Sequence, residues 1–189
     1  MHTHIYTTDF LTKKEKLIII KKAAFCRFFF YLILMEHNYF SVQEIQKKLE
    51  YYCSYQERCH LEVFNKIMKL TSNIKDANSV ITKLIDGGYL NETRFCKEFS
   101  IGKFNHKNWG KNRIISELKK RKISNKNIEM GLNEIDEKRY LKKFNELFEK
   151  QHNKHNGKND VYTKKKIFDY FSYRGWDKDL IFKRLNKLF

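Results

Sequence analysis

"RIISELKKRKI", residues 113–123, decides the fold, because its pattern of apolar residues occurs three times in the chain. "EVFNKIMKL" at 62–70 and "KIFDYFSYRGW" at 166–176 carry the same pattern, at a period of roughly 50 residues. Apolar residues four apart lie on one face of an α-helix, and a period of this size fits a three-helix unit. The first aligned column is Val63, Ile114 and Ile167, and the second is Ile67, Leu118 and Phe171.

Helix start and stop signals surround these segments. Ser41 and Glu44 form a capping box, in which the serine oxygen and the glutamate carboxylate bond to backbone N–H groups of the first turn. Gly87 and Gly88 form a helix stop. Further N-cap residues are Asn91, Ser124 and Asp177. The sequence has no useful strand-like alternation and no proline to interrupt a helix.

These signals predict an all-α fold, an elongated array of three tandem three-helix repeats. The repeats are expected to span residues 41–90, 91–141 and 142–189. Residues 1–34 match nothing downstream, and Met35 runs directly into the first helix signal. We therefore interpret residues 1–34 as an N-terminal extension, with a mis-assigned start as one explanation.

Charge is the strongest compositional signal. The chain has 39 Lys and Arg residues against 22 Asp and Glu residues, which gives a net charge of +17. A surplus of this size favours an acidic partner, namely nucleic acid, a nucleoprotein complex, an anionic membrane or an acidic protein. The apolar segment 17–35 is interrupted by Lys21, Lys22 and Arg27. Its uncharged part is too short to span a bilayer, so no membrane partner is expected.

One segment, "YCSYQERCHLEV" at 51–62, raises the question of metal or redox chemistry. Cys53 and Cys59 are six residues apart, which places them on different sides of a helix, and no second Cys or His pair completes a zinc site. Irregular cysteine spacing without a signal peptide favours reduced thiols in the cytoplasm. Phosphate-binding loops and catalytic elbows are also missing from the sequence. The sequence therefore predicts no metal, no cofactor and no enzymatic activity.

Two stretches resemble a known family, "GGYLNETRFCKEF" at 87–99 and "GKFNHKNWGKNRIISELKKRKIS" at 102–124. They are similar to the central block of RecX, the bacterial regulator of the RecA recombinase. The residue after the Trp-Gly pair is often proline in that family, and here it is Lys111. "YCSYQERCH" and Arg174-Gly175 extend the resemblance to the first and third repeats. The matching residues of the central block are Gly88, Tyr89, Leu90, Asn91, Glu92, Arg94, Phe95, Trp109, Gly110, Arg113, Ile114, Leu118, Lys119, Arg121 and Ile123.

The resemblance implies a regulator and not an enzyme. RecX proteins are tandem three-helix repeats that lie in the groove of the RecA filament on single-stranded DNA and inhibit its ATPase and strand exchange. By this resemblance, the partners are the RecA filament and the single-stranded DNA within or near it. The chain is then a cytoplasmic monomer that acts in homologous recombination, DNA repair and the SOS response. Composition by itself favours a second interpretation, a stand-alone basic helical protein that binds nucleic acid directly.

Basic residues in the matching block form the candidate site. The residues expected to bind the filament are Arg94, Lys103, Lys107, Arg113, Lys119 and Arg121. The residues expected to support them structurally are Gly88, Tyr89, Leu90, Phe95, Trp109 and Gly110. Arg94 has a competing interpretation, because it could pair with Glu98 one helical turn later. No catalytic or metal-binding residue is expected.

Overall fold

The computed structural model describes residues 40–155, 157–158 and 160–188, and all regular secondary structure in those ranges is helical. The fold given below is that of the unit Phe40–Phe189. Its helices follow one another in three groups of three. The predicted all-α class with tandem three-helix repeats is confirmed.

Each repeat consists of three consecutive helices. Repeat 1 contains α1 (Val42–Tyr55), α2 (His60–Ile67) and α3 (Ile74–Asp86). Repeat 2 contains α4 (Glu92–Lys107), α5 (Lys111–Lys120) and α6 (Asn125–Leu132). Repeat 3 contains α7 (Glu137–Lys154), α8 (Val161–Tyr173) and α9 (Lys178–Leu185). Relative to the aligned apolar columns, α8 begins one turn earlier than α5.

The first helix of each repeat begins with the same local structure. An apolar residue precedes a polar N-cap, and a second apolar residue follows one turn into the helix, which is a hydrophobic staple. In repeat 2, Asn91 Oδ1 accepts a hydrogen bond from the Arg94 N–H at 2.9 Å, between the buried residues Leu90 and Phe95. The three sets are Phe40, Ser41 and Ile45; Leu90, Asn91 and Phe95; and Ile135, Asp136 and Tyr140.

Cap residues mark helix limits where the sequence predicted them. Ser41 and Glu44 form both hydrogen bonds of the capping box. Gly88 follows α3 in the left-handed conformation, with a φ of 72°, and the Leu90 N–H donates to the Leu84 carbonyl at 3.0 Å. The N-caps predicted at Asn91, Ser124 and Asp177 all accept backbone hydrogen bonds.

Two clusters of buried side chains form the core. One cluster belongs to repeat 1, and the other runs continuously through repeats 2 and 3. All six residues of the two aligned columns are fully buried, which confirms the register of the repeats. Cys59, just before α2, is the buried residue that repeat 1 contributes to the second cluster. Repeats 2 and 3 therefore share one core, whereas repeat 1 keeps its own.

Two predicted limits differ from the structure. The boundary predicted between repeats 2 and 3, after residue 141, falls inside α7 because Asp136 caps that helix. Asp136 Oδ2 accepts a hydrogen bond from the Arg139 N–H at 3.0 Å. The loop predicted from "QHNKHNGKND" at 151–160 also begins later, since α7 continues to Lys154.

The N-terminal predictions fall outside the described residues. They concern the extension over residues 1–34 and the apolar segment 17–35. Of the helices that the structure describes, none is long and apolar enough to cross a membrane. The elongated shape of the array stays a prediction.

Candidate binding surface

Three aromatic rings of repeat 2 form a continuous row of contacts. Phe95 and Phe99 lie one turn apart on α4, and their ring centres are 5.5 Å apart. Trp109, just before α5, meets the Phe99 ring edge-on at 6.4 Å. We call Phe95, Phe99 and Trp109 the aromatic ladder.

Three of the predicted cations lie against the aromatic ladder. Lys103 Nζ is 5.1 Å from the ring centre of Phe99 and 5.5 Å from that of Trp109. The Arg113 guanidinium lies 4.4 Å from Trp109, and that of Arg121 lies 5.0 Å from Phe99. Such contacts contribute about 0.5–1 kcal/mol each at exposed sites. The fold thus brings together residues that are widely spaced in the sequence.

Arg94 lies between repeats 1 and 2. Its Nε pairs with Glu57, in the loop after α1, and its Nη2 donates to the Gly88 carbonyl at 3.0 Å. The partner is therefore Glu57 and not Glu98, which the sequence suggested. Because a carboxylate and a carbonyl both bind its guanidinium, Arg94 connects the two repeats.

Arg113 and Arg121 lie at the two junctions of repeat 2. Arg121 Nε donates to Glu62 of repeat 1 at 3.3 Å, and its Nη1 donates to the Glu117 carbonyl at 2.8 Å. Arg113 Nη1 donates to the Tyr173 carbonyl of repeat 3 at 2.8 Å, and the guanidinium lies 4.5 Å from the Tyr173 ring. All three predicted arginines are thus bonded between repeats.

The three predicted lysines are less constrained than the arginines. Within the described ranges, no carboxylate forms an ion pair with Lys103, Lys107 or Lys119. Lys107 and Lys119 are exposed in the last turns of α4 and α5. Lys103 and Lys107 line a groove beside α4, whereas Lys119 lines a separate depression between α5 and α6. The predicted site is therefore divided into arginines that join repeats and lysines that remain available.

Gly110 and Gly175 bring two backbones into direct contact between repeats 2 and 3. The Gly110 N–H donates to the Arg174 carbonyl at 2.8 Å, and a Cβ on Gly110 would lie 2.3 Å from the Gly175 oxygen. Gly175 has a φ of 72°, and its own Cβ would lie 2.3 Å from the Arg113 nitrogen. Glycine is therefore required at both positions.

The other predicted structural residues lie where helices begin or end. Gly88 ends α3, and Leu90 and Phe95 are buried around the start of α4. Trp109 is partly buried in the aromatic ladder. Tyr89 differs from the rest because its side chain is 37% exposed.

Trp176 is a structural residue that the sequence analysis missed. Its indole is buried, Nε1 donates to the Asn108 carbonyl at 3.0 Å, and its ring stacks on Tyr140 at 4.6 Å. In the repeat alignment, Trp176 corresponds to Ile123. The sequence signal for its structural role was this much larger side chain at a position that is apolar in repeat 2. The rings that surround it further are those of Phe104, Phe144 and Phe171.

Lys111, which stands where the resembling family often has proline, also contributes to this junction. Its N–H is 3.5 Å from the Tyr140 hydroxyl, and its Nζ pairs with Glu137 at 2.6 Å. Proline would preset φ but would supply neither contact. Burial raises the pKa of Tyr140 to about 12, so its hydroxyl keeps its proton at physiological pH.

The described cysteines pack in the interior. Cys53, Cys59 and Cys96 are free and buried. Burial raises the pKa of Cys53 to about 11 and that of Cys96 to about 12, so both are protonated and poorly nucleophilic at neutral pH. In the part of the chain that the structure describes, no group of three His, Cys, Asp or Glu side chains could hold a metal ion. The segment that raised the question of metal or redox chemistry therefore contributes to packing.

Residues 91–132, which contain α4, α5 and α6, match the second three-helix domain of RecX. Repeat 2 is a RecX domain. All six predicted binding residues lie inside the RecX match. Among curated proteins, none matches this sequence.

Solved RecX structures share the fold. The crystal structure of RecX from Lactobacillus salivarius has a TM-score of 0.68 and 24% sequence identity, and the match covers 78% of this chain and 96% of that chain. A crystal structure of regulatory protein RecX has a TM-score of 0.67 and 12% identity, with 97% of this chain and 83% of that chain covered. At these identities the likeness establishes the fold, and the sequence match identifies repeat 2 as a RecX domain.

Proposed function

We propose that this chain regulates the RecA recombinase by binding the RecA filament on single-stranded DNA and inhibiting its ATPase and strand exchange. The match of residues 91–132 to a RecX domain carries the proposal. On this proposal the chain acts by binding alone, and so modulates homologous recombination and DNA repair.

The distribution of charge supports a nucleoprotein partner. The chain has a net charge of +17, which steers it toward the phosphates of filament-bound DNA and toward acidic protein surfaces. We assign the filament contacts to Lys103, Lys107 and Lys119, because these cations have no ion-pair partner among the described residues. The predicted arginines Arg94, Arg113 and Arg121 then act indirectly, by holding the repeats in position.

Inhibition requires a difference in affinity between filament states. A regulator shifts an equilibrium only as far as it binds one state more tightly than another, and a tenfold difference corresponds to about 1.4 kcal/mol. On this proposal, the three joined repeats contact neighbouring filament subunits at once. We infer that the chain fits the inactive spacing of those subunits better than the active spacing.

The test is DNA-dependent ATP hydrolysis by RecA, with single-stranded DNA in excess and the full chain added at substoichiometric amounts. Loss of hydrolysis well below one chain per RecA supports action on the filament, because bare DNA remains plentiful. If hydrolysis falls only when the DNA itself is coated, the chain is a direct nucleic-acid binder and the proposal is wrong.

A charge-reversal pair tests the assignment of the contacts. Lys107→Glu together with Lys119→Glu should weaken inhibition at least tenfold. Both side chains are exposed in the last turns of their helices, where a negative charge opposes the helix dipole, so the stability should fall by no more than about 1–2 kcal/mol. Lys75→Glu, an exposed lysine of α3 in repeat 1, is the matched control and should leave inhibition near the wild-type level. Arg113 and Arg121 are unsuitable for this test, because reversing them would break the junctions between repeats. Inhibition that survives the double reversal at moderate salt removes these lysines from the interface.

The net charge also favours the second candidate, a stand-alone nucleic-acid-binding protein. That protein would bind bare single-stranded DNA as tightly as it binds the filament. Its affinity would fall steeply with salt, with a log–log slope set by the number of phosphates neutralised. Parallel titrations of bare DNA and of RecA-coated DNA therefore separate the two functions.

A further inference from the structure

Gly102 stands inside α4 at a position where the packing of this chain gives no reason for glycine. Beyond its chain neighbours and the backbone of its own helix, no atom of the described residues would lie within 4 Å of a Cβ at Gly102. Glycine in a helix interior costs about 1 kcal/mol relative to alanine. A residue that weakens its helix without serving internal packing indicates a contact with another molecule.

Gly102 lines a groove of about 630 Å³ between α1 and α4. One wall is formed by the end of α1, where Tyr55 is 81% exposed, and by the loop that follows it. The other wall is formed by α4, which contributes Lys103 and Lys107. Tyr51, one turn before Tyr55 on the same face of α1, is 76% exposed.

A second glycine shows how α4 accepts a neighbouring helix. Gly131 of α6 lies so close to α4 that a Cβ there would be 2.7 Å from the Cys96 carbonyl oxygen. Its small size lets the two backbones approach, and α4 and α6 form the most extensive helix contact of the described fold. Gly102 offers a similar opening on α4, because no other helix among the described residues comes within 4 Å of where its Cβ would lie.

The charges of the groove indicate the class of its occupant. Lys103 and Lys107 are accompanied by Glu98, an exposed carboxylate on the same helix, and by the ion pair of Arg94 with Glu57. A nucleic-acid strand would bring its phosphates against this carboxylate, whereas a protein segment can match charges of both signs. Tyrosine is also enriched among the residues that dominate protein interfaces. These features favour a protein occupant over a strand.

We propose that this groove binds an α-helix that belongs to the protein subunits of the RecA filament, an inference that rests on the proposed function. The bound helix places its smallest side chains against Gly102, apolar side chains beside Tyr55, and acidic side chains toward Lys103 and Lys107. Recognition of this kind reads side chains spaced three and four residues apart. The groove is thus a protein contact, distinct from surfaces that face DNA.

Gly102→Leu tests the groove because it separates folding from binding. Leucine is a better helix former than glycine, and its Cβ meets open space among the described residues, so the melting temperature should rise or stay unchanged. Affinity for RecA filaments, assembled on single-stranded DNA with a slowly hydrolysed ATP analogue, should fall at least tenfold. Affinity for a bare fluorescent oligothymidylate should stay within twofold. Ser79→Leu, at an exposed position of α3, is the matched control and should change neither affinity.

Each alternative outcome of this experiment would contradict the proposal that an α-helix binds the groove. An equal loss of affinity for filament and for bare oligonucleotide would show that the groove holds the strand. Unchanged filament affinity would show that the groove stays empty in the complex. If the wild-type chain binds the filament no better than bare DNA, the proposed function is wrong, and this inference is wrong with it. If the wild-type chain prefers the filament but Gly102→Leu does not weaken that binding, only the inference is wrong.

Photocrosslinking supplies an independent readout. A benzophenone amino acid in place of the exposed Tyr55 should crosslink to RecA polypeptide when the chain binds the filament. Crosslinks to the DNA alone, or none at all under conditions where the chain is bound, would contradict the proposal. The same substitution at Tyr162, an exposed tyrosine of α8, provides the background level.

Discussion

The two junctions between repeats use equivalent positions of the repeat but different residues. Between repeats 2 and 3, Gly110 and Gly175 allow backbone hydrogen bonds to cross the junction. Between repeats 1 and 2, the same alignment columns hold Cys59 and Lys122. Within the described residues, no backbone hydrogen bond joins those two repeats. Two glycine positions therefore decide whether neighbouring repeats meet through backbone or through side chains.

Partly exposed polar side chains form the first junction instead. Arg121 Nε lies 3.3 Å from Glu62, and His60 Nδ1 lies 3.6 Å from Glu92. The ion pair of Arg121 with Glu62 contributes about 1 kcal/mol or less and is screened by salt. We therefore expect the first junction to open more readily than the second, and to do so more readily at high salt.

Aromatic packing reinforces the second junction. In the repeat alignment, Arg113 corresponds to Glu62 and Arg174 corresponds to Arg121. The second junction therefore has two arginines where the first has an ion pair. Each arginine lies against a tyrosine ring instead, and Trp176 is buried between the two repeats. Buried rings and backbone hydrogen bonds respond little to salt, which makes repeats 2 and 3 one stable unit.

Trp176→Ala should break the stronger junction with the largest effect. Removing a buried aromatic side chain typically lowers the free energy of unfolding by about 3–5 kcal/mol. Chemical denaturation followed by circular dichroism measures the change. Tyr162→Ala, at an exposed aromatic residue, is the control and should stay within about 0.5 kcal/mol of wild type. A loss below about 1 kcal/mol for Trp176→Ala would show that this indole does not hold the repeats together.

Gly110→Ala should also weaken the second junction, by about 2–3 kcal/mol. The added Cβ would overlap the Gly175 carbonyl, so the two backbones must separate and lose their hydrogen bonds. Gly102→Ala adds the same methyl group where space is open, and should instead stabilise by up to about 1 kcal/mol. Equal melting temperatures for the two variants would contradict the close approach at Gly110.

Lys122→Gly makes the first junction resemble the second. Lys122 has a φ of 60°, a left-handed conformation that costs a side-chain-bearing residue about 1–2 kcal/mol. Glycine removes this cost, so the free energy of unfolding should rise by about 1 kcal/mol. Lys47→Gly, at an exposed position inside α1, should lower it by a similar amount, because glycine weakens a helix interior. A destabilised Lys122→Gly variant would mean that the lysine side chain contributes more than its conformation costs.

A double-mutant cycle on Arg121 and Glu62 measures the polar contact itself. With Arg121→Met and Glu62→Gln, the coupling energy should be about 0.5 kcal/mol at low salt and should approach zero in concentrated NaCl. The cycle is measured by denaturation at both salt concentrations. Coupling that persists unchanged in NaCl would contradict a screened ion pair as the contact of this junction.

Much of the fold could be predicted because its signals are local or periodic. The six buried residues of the aligned columns follow from helical spacing, and the caps at Ser41, Asn91, Ser124 and Asp177 act within a single turn. The boundary was predicted too late in the sequence, after residue 141, because the dipeptide Tyr140-Leu141 is identical to Tyr89-Leu90. The structural equivalent of Leu90 is Ile135, the apolar residue before the next N-cap.

The candidate site was predictable as a group but not in its division of roles. All six basic residues lie in the RecX match. Their partners, however, come from distant parts of the chain, as Glu57, Glu62 and Tyr173 lie 37, 59 and 60 residues from the arginines they contact. Pairings at such separations depend on how the repeats pack, and no local pattern reveals them. The contribution of Trp176 was hidden for the same reason.

Site-resolved thiol labelling tests the difference between the junctions most directly. Cys59 is buried where repeat 1 meets the shared core, whereas Cys53 is buried inside the core of repeat 1 alone. In native buffer, mass spectrometry of alkylated peptides should show Cys59 labelled at least tenfold faster than Cys53, and NaCl should increase the rate at Cys59 only. Equal rates at both cysteines, unchanged by salt, would mean that the first junction opens only when the whole protein unfolds, which contradicts the account.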